Sequence, residues 1–510
     1  MINLGTRREV FFDDYLINED KSTADILLHK PVPEDIVMLF DKEWEVNSSY
    51  VHFFEDDGIY RMYYIAWDKE KFISQTSDAD DKKLRCCYAE SKDGLNWTKP
   101  DLGIYEFHGN KKNNIIFMAD WLDNFYVFKD TNPACPSEEK YKAIVKDNYF
   151  ERHGLTSYFS ADGVNFRPGR FITDQGAFDT MNVVFWDESI NKYRGYIRSF
   201  HDIPVKRGDG DYLDYRSYFV NGEKLEFAPG FDTDDIKKIG AGVLNLGKRD
   251  IRYIESEDFV NWTKPERINF GESEDIPLYT NCVSKYERAP HMYIGFPTRY
   301  MERKEWTKSF DVLSGREERI KRMKTLSKRE GLAITDCAFM CSRDGRNFKR
   351  YDEAFFKAGP EYGYNWVYGD CYPAKGFLTT KSKFDGADDE LSMLNCEYTS
   401  TCEVLRRYTL RMDGFTSVHA GATEKVLVTK AFIFEGNRLF ANMATSACGY
   451  MHFEIADKEG NLASSCEMFG NSTDKLIGFE KDLSAFAGKE VVMTVRMCDA
   501  DLYAIRFLKE

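Results

Sequence analysis

Carboxylate side chains recur near the start of predicted strands in successive segments of this chain. When the segments are aligned on the tyrosine that opens a second strand, Asp130 lies eleven residues before Tyr141 and Asp179 lies fourteen before Tyr193. Carboxylates that converge on one site repel each other, which raises the pKa of one and separates a proton donor from a proton acceptor. The pattern therefore predicts acid–base or nucleophilic chemistry by four carboxylates: Glu45, Asp130, Asp179 and Asp370.

Polar and aromatic side chains near the same positions are candidates for binding a substrate. Asn182 lies close to Asp179, and Arg198 and His201 follow the second strand of the same segment. An arginine or histidine there suits a carboxylate or phosphate group of the ligand. Aromatic rings hold sugars through their apolar faces. The aromatic candidates are Trp44, Tyr50, Trp366, Tyr368 and Tyr372.

Composition and charge exclude several classes of partner. The 510 residues include 70 Lys and Arg against 85 Asp and Glu, a formal charge of −15. Nucleic acids and anionic membranes attract clustered positive charge, so we expect neither as a partner. The longest apolar run, Met62 to Trp67, spans six residues, whereas a membrane helix needs about 20.

Cysteine usage and the N-terminus bear on the compartment. The twelve cysteines are spread without the spacing of a zinc site or a disulfide framework, which indicates free thiols in a reducing compartment. The first residues lack the apolar stretch of a signal peptide. We therefore expect a cytoplasmic protein that needs no metal and no cofactor.

A short pattern of a strand, Ser-x-Asp and an aromatic residue returns four times, at Ser91, Ser160, Ser256 and Ser342. The Ser and Asp side chains cap the backbone of a tight turn, and the glycine that usually follows accepts a positive φ. The turn has a structural role, and the number of its copies indicates the number of repeating units. Four marked units and an unmarked fifth near residues 366–398 predict a five-bladed β-propeller.

The predicted fold is all-β with two domains. Residues 1–417 form the five-bladed β-propeller, in which a strand within Arg8–Ile17 closes the ring against the last blade. Residues 418–510 consist of short predicted strands separated by turns and predict a C-terminal β-sandwich. Residues Arg316 to Arg329 form the clearest helical stretch, and their many charges indicate a solvated helix or a lid-like insertion.

This arrangement resembles the five-bladed-propeller glycoside hydrolases, the invertase-like and arabinanase-like families 32 and 43. Invertase-like members carry an Asp in blade 1, Arg-Asp-Pro in blade 2 and Glu-Cys in blade 3, followed by a β-sandwich. Lys129-Asp130 is similar in position to the Arg-Asp element, and Asp179 stands where the blade-3 acid would be. The chain departs from that pattern in blade 1, where Glu45 replaces the absent Asn-Asp-Pro-Asn signature, and in blade 3, where aspartate replaces glutamate.

The resemblance implies a glycosidase that acts in carbohydrate metabolism such as polysaccharide degradation. Glycosidic cleavage needs one carboxylic acid to protonate the leaving oxygen and a second carboxylate to attack the anomeric carbon or activate water. We expect Asp179 as the acid, Glu45 as the nucleophile or base and Asp130 as the stabiliser of the transition state. Asp370 is expected among the groups that bind the substrate.

Two alternatives stay open at this point. A propeller glycoside phosphorylase would need cationic groups around a phosphate, and Arg198, His201, Arg299 and Arg303 are candidates. A non-catalytic carbohydrate-binding propeller would keep the aromatic residues and tolerate the loss of carboxylates. All three interpretations predict a carbohydrate partner, and the sequence does not specify an oligomeric state.

Overall fold

Strands form most of this computed structural model, which describes residues 1–46, 48–67, 78–147, 154–201, 205–206, 226–227, 248–303, 305–397 and 404–509. Four strands precede the first blade: β1 (Ile2–Gly5), β2 (Glu9–Val10), β3 (Asp25–Leu28) and β4 (Val32–Leu39). Within the described ranges, no helix has both the length and the apolar character needed to cross a membrane.

Five antiparallel sheets, the blades, then follow one another along the chain. Blades 1 and 2 comprise β5 (Ser49–Asp56), β6 (Ile59–Ala66), β7 (Leu84–Ser91) and β8 (Ile115–Ala119), then β9 (Phe125–Lys129), β10 (Tyr141–Asp147), β11 (Gly154–Ser160) and β12 (Arg167–Thr173). Blade 3 comprises β13 (Val183–Asp187), β14 (Lys192–His201) and, beyond the separate pair β15 (Val205–Lys206) and β16 (Glu226–Phe227), β17 (Lys248–Ser256) and β18 (Glu266–Arg267). Blade 4 comprises β19 (Ser284–Tyr286), β20 (Ala289–Gly295), β21 (Thr298–Glu302), β22 (Ala333–Ser342) and β23 (Lys349–Phe356). Blade 5 comprises β24 (Tyr372–Pro373), β25 (Leu378–Thr380), β26 (Glu390–Glu397) and β27 (Val404–Arg411).

The second and third strands of the blades are nearly continuous runs of aromatic and aliphatic residues, because each blade is covered on both faces by its neighbours. Tyr63 and Tyr64 point to opposite faces of β6 and are both fully buried. Tyr64 packs in the core shared with blade 5, and Tyr63 packs in the core shared with blade 2. The predicted five-bladed propeller is confirmed by this pairing and stacking.

The ring is closed by β4, which pairs with β27 as the outermost strand of blade 5. The prediction that residues 8–17 supply this strand is wrong. Glu9 and Val10 pair with β34 of the C-terminal sheet, and the buried Glu9 carboxylate accepts hydrogen bonds from Arg7 and Arg343. The strand pairing holds the segment on that sheet, while Arg343 ties Glu9 to blade 4. The chain reaches blade 5 only after β3.

The C-terminal strands form a ten-stranded sheet together with β1, β2 and β3. They are β28 (Thr416–Ala420), β29 (Lys425–Val428), β30 (Phe432–Phe434), β31 (Arg438–Asp457), β32 (Leu462–Ser464), β33 (Asn471–Leu476) and β34 (Val491–Leu508). The long strands β31 and β34 pair on both sides of an irregularity at residues 445–450. A two-layered β-sandwich and a domain boundary at residue 417 stay predictions. The structure also shows that strands within residues 2–28 pair with this C-terminal region.

The first strand of each blade begins at one face of the propeller, and the antiparallel second strand ends at the same face. We call this face the mouth. Three helices lie there between β21 and β22: α1 (Lys308–Val312), α2 (Arg316–Thr325) and α3 (Arg329–Leu332). The helix predicted from residue 316 is confirmed, but Arg319 and Arg322 are buried against Tyr364 instead of being solvated.

The four Ser-x-Asp turns lie at the face opposite the mouth, and in each the serine hydroxyl bonds the aspartate, which accepts from the amide three residues on. In blade 2, the Ser160 hydroxyl bonds Asp162 and accepts from the Gly163 amide, while Asp162 accepts from the Asn165 amide. The turn at Ser256 has Phe259 at φ 61°, where the other three turns have glycine. Tyr63 of blade 1 donates to the Gly163 carbonyl at 3.0 Å. The repeat therefore also joins neighbouring blades.

Gly163→Ala is expected to destabilise the propeller by about 2–3 kcal/mol, as measured by urea unfolding. Gly163 has a φ of +85°, and a Cβ added to it would lie 2.9 Å from the Tyr63 hydroxyl oxygen. The left-handed conformation costs a non-glycine residue about 1–2 kcal/mol, and a displaced hydrogen bond costs about 1 kcal/mol more. Gly109→Ala is the matched control, because Gly109 has φ +77° and open space around it. Equal losses in the two variants would contradict the interblade contact.

Candidate functional site

Asp179 lies at the mouth, in the loop that leads into β13. Its carboxylate forms an ion pair with the guanidinium of Arg198, and its side chain remains 35% exposed. The hydroxyls of Tyr50 and Tyr279 approach its backbone carbonyl at 3.5 and 3.4 Å. The structure thus brings together three predicted site residues, Tyr50 of blade 1 and Asp179 and Arg198 of blade 3, with Tyr279, which precedes blade 4.

Asn182 holds the loop that carries Asp179. Its side-chain amide donates to the carbonyls of Phe178 (3.0 Å) and Thr180 (2.9 Å) and accepts from the Arg198 amide (3.0 Å). Asn182 is fully buried. It therefore positions Asp179 and Arg198, and it has no free group to offer a substrate.

Asp123 is a second mouth carboxylate that the sequence alignment missed. It lies two residues before β9, is 28% exposed and accepts a hydrogen bond from Lys146 at 2.8 Å. The adjacent Asn124 donates to the Phe178 carbonyl at 2.7 Å, which ties the loop of Asp123 to the loop of Asp179. The signal in the sequence is an asparagine just ahead of a first strand, at Asn124 as at Asn182.

Five tyrosines form a layer beside these carboxylates. The ring of Tyr279 lies 5.6 Å from that of Tyr372, 5.9 Å from that of Tyr368 and 6.3 Å from that of Tyr300. Tyr50 stacks on Tyr372 at 6.2 Å. Burial, followed by the charge of Tyr368, raises the pKa of Tyr50. The predicted substrate residue Tyr50 therefore lies at the mouth, with a neutral hydroxyl.

Arg198 is 1% exposed and anchored by a hydrogen bond from its Nε to the Ala177 carbonyl at 2.8 Å. Burial lowers its pKa, although the charges of Tyr279 and Asp123 act in the opposite direction. Its Nη1 is buried without a hydrogen-bond partner among the described residues. The prediction that Arg198 binds a substrate group stays a prediction, and the orphan N–H groups fit it.

Asp370 and Trp366 lie in a strained segment ahead of β24. Trp366 and Cys371 have φ values of 60° and 56°. The Trp366 indole donates to the Gly359 carbonyl at 3.0 Å, and Asp370 accepts from the Val367 amide at 3.0 Å. Burial raises the pKa of Asp370 to about 7, against the opposing effect of the backbone hydrogen bonds. Strain and a perturbed carboxyl at one position are typical of functional segments.

Asp370→Asn is expected to change how stability depends on pH. The folded pKa of about 7 exceeds the ordinary 3.8, so the native carboxyl keeps its proton where the unfolded one loses it. This group's contribution is therefore fully present below about pH 4 and is lost as pH rises to about 7. The free energy of unfolding of the variant, relative to that of the wild type, should therefore rise by on the order of 3 kcal/mol from pH 4 to pH 8. Urea unfolding at both pH values measures the gain, and a pH-independent difference would contradict the assignment.

Glu45 and Trp44 lie outside this cluster, in the packing between blades 1 and 5. The Glu45 carboxylate is fully buried and bonded by the Tyr64 hydroxyl and by Lys99 Nζ at 2.5 Å. The Trp44 indole donates to Asn114 at 2.7 Å, and Asn114 in turn donates to Tyr64. The structure therefore does not bring the predicted nucleophile to Asp179.

Asp130 also lies apart, in a contact that repeats between blades. It accepts hydrogen bonds from Lys142 (2.7 Å) and from Tyr193 of blade 3 (2.8 Å). Tyr141 bonds Asp56 and Tyr293 bonds Asp187 in the same way. Each aspartate follows or ends a first strand, at the face opposite the mouth. The predicted stabiliser is thus part of the propeller's interblade packing.

His201 ends β14 between two carboxylates. Its Nδ1 lies 3.2 Å from Asp250, and its Nε2 lies 2.8 Å from Asp275. Although burial lowers the pKa of His201, the hydrogen bonds to the two carboxylates outweigh it and raise the pKa. Both ring nitrogens are thus engaged by the protein, and the structure does not place His201 against Asp179.

One group in the described part of the chain could hold a metal ion: Asp78, Asp81 and His108. His108 Nε2 lies 3.3 Å from Asp81 and 3.6 Å from Asp78, and Nδ1 lies 2.6 Å from Glu43. The hydrogen bond to Glu43 raises the pKa of His108. A protonated imidazole satisfies these carboxylates by itself. The eleven cysteines in the described ranges are free thiols, and Cys402 lies outside those ranges.

No protein-family model matches the chain, and no curated protein matches it. Among solved structures, a Bombyx mori GH32 β-fructofuranosidase is similar at 10% identity and a TM-score of 0.34, covering 95% of this chain and 94% of its own. A Schwanniomyces occidentalis fructofuranosidase is similar at 11% identity and a TM-score of 0.34, covering 93% and 97%. A structure from the GH130 family of mannoside phosphorylases, which contains glycoside hydrolases that target β-1,2 mannosidic linkages in Candida mannan, is similar at 12% identity and a TM-score of 0.39, covering 77% and 96%. The five-bladed propeller itself rests on the strand pairing described above.

Proposed function

We propose that the protein is a carbohydrate-active enzyme that cleaves a glycosidic bond at the mouth, with Asp179 and Asp123 as its carboxylate pair. The observation that carries this proposal is the hydrogen bond from Asn124 to the Phe178 carbonyl, which ties together the two loops that carry these partly exposed carboxylates. Two carboxylates at one site are what glycosidic cleavage requires. The tyrosine layer beside them supplies aromatic surface for a sugar ring.

The contacts suggest how the two carboxylates divide the work. The guanidinium of Arg198 against Asp179 favours the ionised carboxylate. An ionised carboxylate attacks the anomeric carbon or activates water, which differs from the acid role that the sequence suggested for Asp179. Asp123 is left with the role of protonating the leaving oxygen, for which it must take up a proton against its ion pair with Lys146. Glu45 and Asp130 have no part in this proposal, since both are bonded within the blade packing.

A panel of oligosaccharides, incubated with and without inorganic phosphate, tests the proposal. Release of sugars in plain buffer supports a hydrolase. Cleavage that requires phosphate supports the phosphorylase alternative and keeps the carbohydrate-active site at the mouth. Binding of an oligosaccharide without turnover under either condition would overturn the enzymatic proposal and support a binding propeller.

A further inference from the structure

Three guanidinium groups surround the tyrosine layer at the mouth. The central guanidinium carbons of Arg198 on β14 and Arg249 on β17 lie 5.1 and 5.4 Å from the ring centre of Tyr279. That of Arg329 on α3 lies 4.5 Å from the ring centre of Tyr368, whose hydroxyl bonds Tyr279 at 2.9 Å. The three arginines come from two blades and converge on one aromatic surface.

Two of these arginines, Arg249 and Arg329, differ from several other buried arginines in their partners. Arg194 pairs with Glu255 at 2.7 Å, Arg252 pairs with Asp250 at 3.1 Å, and Arg198 itself pairs with Asp179. Arg249 is 6% exposed, and within the described ranges its guanidinium makes only ring contacts, the nearest with Tyr300 at 4.2 Å. Arg329 has one distant carboxylate, Glu330 at 3.8 Å.

Two of the three arginines have buried N–H donors that no described residue accepts from. Arg198 Nη1 and Arg249 Nε are buried without a hydrogen-bond partner in the described structure. A buried charged donor without an acceptor destabilises a fold. Both arginines lie close to the mouth, because Arg198 pairs with Asp179 and Arg249 contacts the ring of Tyr279, whose hydroxyl approaches the Asp179 carbonyl. Guanidinium groups bind carboxylates and phosphates through two parallel hydrogen bonds.

We propose that Arg198, Arg249 and Arg329 form an anion-binding subsite at the mouth that takes the carboxylate of an acidic sugar or an inorganic phosphate. The shared chemistry is a small oxyanion held by guanidinium groups over a tyrosine surface. The link to glycosidic cleavage rests on the proposed function, because Asp179 pairs with Arg198. An acidic sugar would make the anion part of the substrate, whereas phosphate would make it a co-substrate.

Calorimetric titration with simple probes tests the subsite directly. The probes are glucuronate and galacturonate, the neutral sugars glucose and galactose, and inorganic phosphate. We expect wild-type protein to bind an anionic probe in preference to the neutral sugars, and the probe that binds identifies the source of the anion. Arg249→Met should weaken that binding about 10- to 100-fold, since a hydrogen bond to a charged group is worth about 1.5–3 kcal/mol. Binding of neutral and anionic sugars alike, or no anion binding at all, would overturn the proposal.

Stability measurements separate loss of the subsite from loss of the fold. Arg249→Met should be at least as stable as the wild type without ligand, because it removes a buried guanidinium that has no acceptor. Arg249→Lys keeps the charge and should retain part of the anion affinity, which provides a second test if the methionine variant unfolds. Arg167→Met, at an exposed residue of blade 2, should leave anion binding unchanged. Anion binding without turnover of any oligosaccharide would leave this subsite standing and overturn only the proposed function.

Discussion

Asp179→Asn is expected to lower kcat by at least about 10²- to 10⁴-fold on whichever oligosaccharide the protein cleaves, the range that a positioned proton-transfer group contributes. Asparagine keeps the size of the side chain and one acceptor oxygen toward Arg198, but it can neither attack carbon nor accept a proton from water. The loop itself is held by Asn182 and Asn124, which the substitution leaves in place. Thermal stability should therefore stay within a few degrees of the wild type.

Asp130→Asn is the control for this prediction. It removes a buried partner of Lys142 and Tyr193 at the face opposite the mouth, so we expect lower stability and an unchanged kcat of the folded protein. Both quantities come from one preparation, by steady-state assay and by thermal unfolding followed through tyrosine and tryptophan fluorescence. Wild-type turnover in Asp179→Asn would remove Asp179 from the chemistry. Loss of turnover in a folded Asp130→Asn would contradict the purely structural role of Asp130.

The blades could be predicted from sequence because their signals are local. Each Ser-x-Asp turn is closed by hydrogen bonds between residues two or three positions apart, as between Ser342 and Asp344 and between Asp344 and Asn347. The same side chains therefore make the same bonds wherever the pattern occurs. Such a signal counts the units correctly, and it also marks the face that lies away from the mouth.

The candidate site was predicted only in part, because its position depends on loop length. Blade 3 has four residues between its first and second strands, whereas blade 2 has eleven, which include a short 3₁₀ turn at Ser137–Glu139. The position eleven residues before the second-strand tyrosine is therefore Asn182 in blade 3, which precedes β13. In blade 2 the same position is Asp130, which follows the end of β9. The residue that stands directly before β9, as Asn182 stands directly before β13, is Asn124, and Asp123 is its neighbour.

Contacts between distant segments lay beyond the sequence patterns. The closing strand β4 pairs Val32 with Thr409, and an alternating segment at either residues 8–17 or residues 32–39 fits the edge of a blade equally well. Arg249 and Arg329 stand among 70 basic residues. Only the assembled fold shows that these two share a tyrosine surface instead of a carboxylate.

Asp413→Asn is expected to lower the free energy of unfolding by about 3–5 kcal/mol, more than any other substitution proposed for this chain. Asp413 is fully buried in the turn between the propeller and the C-terminal sheet. It accepts hydrogen bonds from Arg288 of blade 4 at 2.8 Å and from Arg8 and Asn442 at 3.2 Å each. Asparagine tolerates the φ of 58° at this position, so the substitution does not strain the backbone. The loss of stability is therefore due to the removal of the charge.

The pH dependence identifies the cause of that loss. Burial alone would raise the pKa of Asp413, but the hydrogen bonds and charges of Arg288 and Arg8 lower it below its ordinary value. A depressed carboxyl pKa stabilises the fold above the unfolded value of about 4 and loses that effect as pH falls through the folded value. Wild type and variant should therefore differ most at pH 7 and converge below about pH 4 in urea unfolding. Asp474→Asn is the control, because Asp474 is a partly exposed partner of Arg8 and Arg506. It should lower the free energy of unfolding by only about 1 kcal/mol. A similar loss in both variants would show that Asp413 does not join the propeller to the C-terminal sheet.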